Sequence, residues 1–297
     1  MGVLIGLVIA IGSMFGGFVA MGGHLAVIWQ PWEFVIIGGI AAGTYIIANP
    51  MSVVKDTGRA TVEALRGAVP KREDYLAILG LLYALMRELR SRPRNEVEAH
   101  IDGPQNSDIF KNFPAVLKDP ELTLFICDYV RLIIIGNARP HEIEALMDEE
   151  ISTLRKDKLK PYSTLTMVAE ALPALGIVAA VLGIVKAMGA LDQSPQILGS
   201  LIGAALVGTF AGIFFSYAVI APLATKVKTT REKQCRVYVI AKQSLLAFMN
   251  GALPQIAVEH GRKAISSSDR PSIDEVEAAT IPGGAGFKGD APQKEAA

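Results

Sequence analysis

Four long apolar blocks divide the chain: Val3 to Gly23, Glu33 to Asn49, Met167 to Leu191 and Ile197 to Leu223. Charge is almost absent inside them, and each is long enough to cross the hydrocarbon core of a bilayer as a helix. A bilayer offers no water to unpaired backbone groups, so the pattern predicts four transmembrane helices in two hairpins. Between the hairpins, 51–166 reads as a charged, helix-rich cytoplasmic domain. Apolar positions recur there at helical spacing over Glu73 to Arg92 (Leu76, Leu79, Tyr83, Met86), Glu121 to Ile135 and His141 to Leu154. Phe113-Pro114 and Asp119-Pro120 separate these helices. A polar helix from Thr225 to about Asn250 is expected after the second hairpin, with no breaker between Pro222 and Gly251. The expected fold is therefore all-α and polytopic. Its parts are a hairpin over 1–50, the domain over 51–166, a hairpin over 167–223, a helical extension over 224–265, and a tail over 266–297 whose Ser, Pro, Gly and Ala content predicts disorder.

Charge then sets orientation. The 297 residues carry 29 Lys and Arg against 29 Asp and Glu, so no global field favours nucleic acid. All the basic residues except Lys186 lie between the hairpins or after the second. By the positive-inside rule those regions and both termini are cytoplasmic, while His24 to Trp32 and Asp192 to Gln196 are short outer loops. The first block has no basic n-region and no A-x-A cleavage site, so it is read as a retained helix rather than a signal peptide. Cys127 and Cys235 both fall in cytoplasmic parts and read as ordinary buried thiols. The chain lacks a P-loop, a dinucleotide fingerprint and an HExxH pair, and its four histidines are dispersed. Neither an enzyme nor a cofactor or metal site is expected.

The polar and small residues within the spans carry the remaining information. Gly2 and Gly6, then Gly12, Gly16 and Ala20, recur every fourth residue, as do Gly199 with Gly203 and Gly208 with Gly212. Such spacing clears a groove for a close helix, either within the hairpin or in another subunit. Pro173 releases the carbonyl of Ala169 near one end of the third span, with Glu170 beside it, and Pro222 does the same for Ala218 near the end of the fourth. Because these spans run antiparallel, the two prolines are expected at similar depth. Counting inward places Ala180 and Thr209 near mid-span, a methyl and a hydroxyl at one level, although a threonine hydroxyl can equally bond back within its own helix. Glu33 and Glu170 are placed near opposite membrane faces, so no acid is expected at mid-depth and a proton carrier needs one from another chain. Lys186 can snorkel outward toward Asp192. In the domain, Arg87, Arg90, Arg92 and Arg94 precede Glu96 and Glu98, which reads as a solvated face or as a partner surface of alternating charge. With acids interleaved and no stacking aromatics, nucleic acid does not fit.

Four segments resemble the A subunits of the bacterial flagellar motor stator, the MotA family. They are HEIEALMDEEI (His141 to Ile151), ALPALGIVAAVLGIVKAMG (Ala171 to Gly189), VGTFAGI (Val207 to Ile213) and PQIAVEHGRKAISSSDRPS (Pro254 to Ser272). The resemblance implies an ion-driven torque generator of the bacterial inner membrane. Five A subunits would surround a dimer of the B subunit (MotB), whose essential aspartates supply the missing acid, and the cytoplasmic domain would push on the rotor protein FliG. Carried over by position, Arg90 and Glu98 match rotor-contact residues, Pro173 and Pro222 match prolines that couple ion flow to conformational change, and Glu170 stands where relatives often have Asp. Ala180, Thr209 and Glu170 then belong to the ion pathway. Sodium-driven relatives place threonines at the positions of Ala180 and Thr209 and another beside the latter. With a methyl at Ala180 and nothing at Gly208, the oxygen set that sodium needs is incomplete, which favours a proton. The related ExbB/TolQ energy transducers are the alternative, but they lack this arrangement of two hairpins around a large domain. A passive scaffold leaves Pro173, Pro222 and Glu170 unexplained, and a solute transporter would show an internal repeat.

Overall fold

The computed structural model describes residues 2–136 and 139–280. Helices account for its regular structure: α1 (Gly2–Ala20), α2 (Leu25–Ile28), α3 (Pro31–Ala48), α4 (Met51–Arg66), α5 (Arg72–Ser91), α6 (Arg94–Asp102), α7 (Asp108–Lys111) and α8 (Pro114–Leu117) come first. They are followed by α9 (Pro120–Ile135), α10 (Pro140–Met188), α11 (Pro195–Phe214), α12 (Ala221–Met249), α13 (Pro254–Lys263) and α14 (Ile273–Thr280). A π-helical turn over Phe215–Ile220 joins α11 to α12 without a break. Four stretches are long and apolar enough to cross a membrane: α1, Leu25–Ala48, the end of α10, and the start of Pro195–Met249.

The chain divides into two compact units, one of Met1–Ala68 with Lys156–Glu232 and one of Val69–Arg155 with the residues from Lys233. The first unit holds the apolar helices and also α4, which the hydrophobic pattern assigns to the charged domain. The reason is a polar and apolar seam on α4. Ala60 and Ala64 are fully buried with Val227 and pack beside Tyr162 and Leu165, and Thr57 meets Thr164 at 3.3 Å between their hydroxyls. Arg231, almost wholly buried, donates to Asp56 at 2.8 Å and lies 3.5 Å from Glu63. A buried guanidinium without such carboxylates would cost several kcal/mol, roughly 3–5 when one partner is removed, so α4 is held where its acids are needed.

The second unit has a conventional apolar core. Leu79, Leu82, Leu85 and Met86 of α5, Phe125, Ile126 and Tyr129 of α9, Met147 of α10 and Tyr238 and Leu245 of α12 are all buried in it. Phe125 meets Tyr238 edge-on at 5.2 Å. Two buried tyrosine hydroxyls are satisfied by acids: Tyr129 donates to Glu150 at 2.6 Å and Tyr238 to Glu121 at 3.0 Å, as buried O–H groups require. Asp119 caps α9 by accepting from the Leu122 amide at 3.1 Å, with Pro120 at the first helical position. Both cysteines are buried and neither is in a disulfide, and burial pushes the Cys127 thiol up to about 11, which leaves it unreactive.

The C-terminal stretch departs from the expected disorder over 266–280. Arg262, buried, grips Glu259 through a two-pronged bond and donates to the Pro271 carbonyl at 2.8 Å. Arg270 donates to the Ile265 carbonyl at 2.9 Å, and Lys233 bonds Asp269 at 2.8 Å. Ser272 and Glu275 cap α14 reciprocally, and Val276 is buried in the core of this unit. Charges that composition treats as scattered are specific clasps; the rest of the tail, 281–297, lies outside the described residues.

In the first unit the close approach of α10 and α11 rests on glycine. A Cβ added at Gly176 would stand 2.9 Å from the Gly208 carbonyl oxygen and 3.1 Å from the Gly212 Cα, and one at Gly212 would stand 2.6 Å from the Leu172 carbonyl oxygen. Gly176→Ala is therefore expected to destabilise the purified chain by about 1–3 kcal/mol, whereas Gly58→Ala, on an open face of α4, should be neutral or stabilising by up to ~1 kcal/mol. Thermal melting in detergent checks the contrast.

Candidate functional site

The site forms where α10 and α11 lie backbone to backbone. Three contacts fix their antiparallel register: Gly183 against Ala205, Gly208 against Ala179 and Ala180, and Gly212 against Leu172 and Gly176. Bulky side chains would hold two helices 8–10 Å apart, but bare glycines let the backbones touch. Ala180 is buried beside Gly208, and Thr209 follows Gly208 with its Cα near Gly176. Gly208 thus meets Ala180, whereas the approach of Thr209 is to Gly176, one turn of α10 earlier. Among the described residues, Thr209 enters none of the side-chain hydrogen bonds, unlike Thr44 and Thr166, which bond back to carbonyls in their own helices.

The acids are placed differently from the sequence reading. Glu170 is exposed, one turn before Pro173. Glu33 is not at the end of its span, because that span begins at Leu25 rather than at Glu33. The chain bends at Trp29 and Gln30, Pro31 starts α3, and α2 and the first turn of α3 both run along α11. Glu33 consequently reaches inward, and its Oε2 would lie 3.3 Å from a Cβ on Gly208. An acid therefore does sit at the level of Ala180, contrary to the expected absence. Lys186 is exposed and makes no ion pair with Asp192 among the described residues.

The prolines also differ from expectation. α10 runs unbroken through both Pro161 and Pro173. The carbonyl that Pro173 releases, Ala169 O, accepts a 2.6 Å hydrogen bond from the buried Ser216 hydroxyl. That bond ties α10 to the π-turn and satisfies a backbone group that apolar surroundings would otherwise leave unpaired. Continuing the register of the glycine contacts puts Pro222 about seven residues beyond the level of Pro173 on the cytoplasmic side of the sequence reading, roughly 10 Å at 1.5 Å per residue, not at matched depth. Directly before Pro222 the helix widens: the Ala221 amide donates to the Ser216 carbonyl, five residues back. The extra residue accommodates a ring that would clash in a regular turn. Ser216 was missed because a serine in an apolar helix usually bonds its own backbone; the signal for it was the carbonyl freed across the groove.

The glycine stripes separate into two kinds. Gly176, Gly183, Gly208 and Gly212 make the crossing, while Gly2, Gly6, Gly12, Gly16, Gly199 and Gly203 have, among the described residues and outside their own helix backbone, no atom within 4 Å of an added Cβ. In the second unit Arg90 ends α5 and Glu98 lies on α6, with Pro93 marking the elbow between the helices. Both side chains are exposed. Their neighbours pair among themselves: Arg92 bonds Glu88 at 2.7 Å and Glu96 at 2.9 Å. Arg90 and Glu98 enter no ion pair among the described residues, so the pairing that neutralises the elbow leaves these two charges presented.

Removing the Ser216 hydroxyl leaves the Ala169 carbonyl unpaired at a cost of about 1–3 kcal/mol. Ser216→Ala should therefore lower the melting temperature of the purified chain, and Ser216→Thr, which retains the donor, should restore part of the loss.

Residues 4–93 match the family described as Motility protein A N-terminal, and residues 118–239 match the MotA/TolQ/ExbB proton channel family. Motility protein A of Salmonella typhimurium is 43% identical over 93% of both chains, and its Escherichia coli counterpart is 42% identical over the same shares. Chemotaxis protein LafT of Vibrio parahaemolyticus is 36% identical over 92% of this chain and 96% of its own. In fold, the chain matches the MotAB structure from C. jejuni with a TM-score of 0.72, 20% identity, and coverage of 91% of this chain and 98% of that one. The flagellar MotAB stator complex of Bacillus subtilis matches with a TM-score of 0.60 at 20% identity, over 90% and 96%. The chain is a four-span, all-helical membrane protein, and it belongs to the motility protein A family.

Proposed function

We infer that this chain is the A subunit of a flagellar stator that conducts protons and converts the gradient into torque. The observation that carries the reading is the 43% identity to a motility protein A across 93% of the chain. In this reading the chain sits in the bacterial inner membrane with both termini cytoplasmic and surrounds a B subunit whose aspartate carries the ion. The unfilled stripes of α1 and the start of α11 suit contact between A subunits in a ring, for which five copies are expected. Residues 51–166 would face the cytoplasm, with Arg90 and Glu98 meeting the rotor protein FliG. Ala180, Thr209 and Glu170 would line the ion pathway, and Pro173 and Pro222 would couple ion movement to helix movement. One charge crossing 100 mV releases about 2.3 kcal/mol, enough to bias a step between nearly isoenergetic ring positions. The match of residues 4–93 to the motility protein N-terminal family, together with the motility relatives, favours this reading over an ExbB/TolQ-like transducer.

The coupling ion follows from oxygen count. At the crossing the side-chain oxygens are the Thr209 hydroxyl and the Glu33 carboxyl, with only a methyl at Ala180 and nothing at Gly208, too few ligands to replace the hydration shell of sodium. Swimming speed of cells driven by this stator should be independent of sodium at fixed pH and should collapse with a protonophore; speed that tracks sodium and survives the protonophore overturns proton coupling. For the rotor contact, reversing Arg90 and Glu98 together should impair torque in tethered cells while the B subunit still co-purifies. Normal motility in the double reversal would place the contact elsewhere.

A further inference from the structure

We propose that the Glu33 carboxyl is a proton-binding site within the membrane, seated against the Ala180 and Gly208 crossing, that takes up and releases a proton during ion transfer. This rests on the proton-conducting reading above and adds to it a titratable group supplied by this chain itself.

Glu33 is only 9% exposed, and its Oε2 is completely buried without a hydrogen-bond partner among the described residues. That oxygen points at the bare face of Gly208: from the place a Cβ would occupy there, Oε2 is 3.3 Å away and the Ala180 nitrogen 3.5 Å away. The Ala180 amide lies inside α10, where its N–H serves the helix, so it is no donor for the acid. α1, α2 and α11 contain no Asp, Glu, Lys, Arg or His, and α3 contains no such residue besides Glu33 itself. On α10 the nearest charges are Lys186 and, in the other direction, Glu170, both exposed. They lie about 9 Å and 15 Å along the helix from Ala180 at 1.5 Å per residue. His24 immediately precedes α2 and is exposed.

An unpaired carboxyl in a span is costly unless it pairs, binds a proton or meets water, and such groups mark ion routes. Here the acid has an acceptor atom with no donor, and the helix face before it has no side chain. The step is a plain proton exchange. The O–H bond of the protonated Glu33 breaks as the proton passes to a water molecule at the Gly208 face, leaving a carboxylate and a hydronium, and the reverse transfer restores the acid. A purely structural acid would be expected to donate to a carbonyl or to pair with a cation, and Glu33 enters no such bond or ion pair among the described residues.

The test uses the complete stator with its B subunit, reconstituted in liposomes, comparing the parent with Glu33→Gln and Glu33→Asp. Proton flux is read as a function of pH, and the carboxyl C=O band is read by infrared difference spectroscopy. We expect Glu33→Gln to co-purify with the B subunit, to lose one protonated-carboxyl band and to conduct fewer protons with a flattened pH profile. Glu33→Asp should keep a shifted band and part of the flux. A Gln variant with parental flux and pH profile overturns the proposal, and so does reduced flux with every carboxyl band intact, which marks a structural role. If the Gln variant fails to assemble, the Asp variant decides: an assembled complex without a shifted band overturns the proposal. Absence of proton flux in the parent would instead refute the proton-conducting reading, and the band titration would still show whether Glu33 binds a proton.

Discussion

The first unit depends on one steric condition, two helices whose backbones touch. Gly176, Gly208 and Gly212 remove the side chains that would otherwise separate α10 from α11. In a lipid environment there is no hydrophobic drive between helices, so association relies on close packing and on internally satisfied polar groups. The crossing supplies the first, and the Ser216 bond to the Ala169 carbonyl supplies the second. Because the backbones are in contact, small polar side chains near the crossing decide its chemistry. A single hydroxyl at Thr209, a methyl at Ala180 and a carboxyl at Glu33 are enough to define the site.

The two units are stabilised by different means. Residues around Phe125, Tyr129 and Tyr238 form an aromatic and aliphatic core with acids closing the tyrosine hydroxyls. In the first unit, by contrast, the part of α4 that meets α10 and α12 is held by a buried arginine between two acids and by paired threonines. A buried ion pair is a weak source of net stability but a strong source of uniqueness, since any other arrangement leaves a charge unpaired. This explains how a helix with a charged sequence comes to be assigned with the apolar spans.

Much of the fold was legible along the chain because bilayer length, helical spacing and proline placement act locally. The four apolar blocks, the helices over 72–91 and 120–135, and the continuation past Pro222 to Met249 all follow from such signals. The features that were not legible arise from contacts between distant segments. The level of Glu33 depends on a bend at Trp29 and Gln30 that starts the span earlier than hydropathy alone indicates. The depth of Pro222 depends on the antiparallel register of α10 and α11, which glycine contacts set and which end-counting cannot give. Order over 266–280 depends on Arg262, Arg270 and Lys233 finding particular partners. In each case a tertiary partner changes what the local pattern means.

The π-turn over Phe215–Ile220 has a further consequence in angular terms. One residue advances an α-helix by about 100°, so a single added residue rotates everything after it by that amount relative to everything before. The face of α11 that carries Gly208 and Gly212 therefore does not continue straight into the face of α12 that carries Val227 and Arg231. The turn acts as a phase shifter between a lipid-embedded stripe and a charged one. Were the extra residue to move along the helix, the segment it passes over would turn by the same angle with no change in chain length, converting a small axial slip into a rotation.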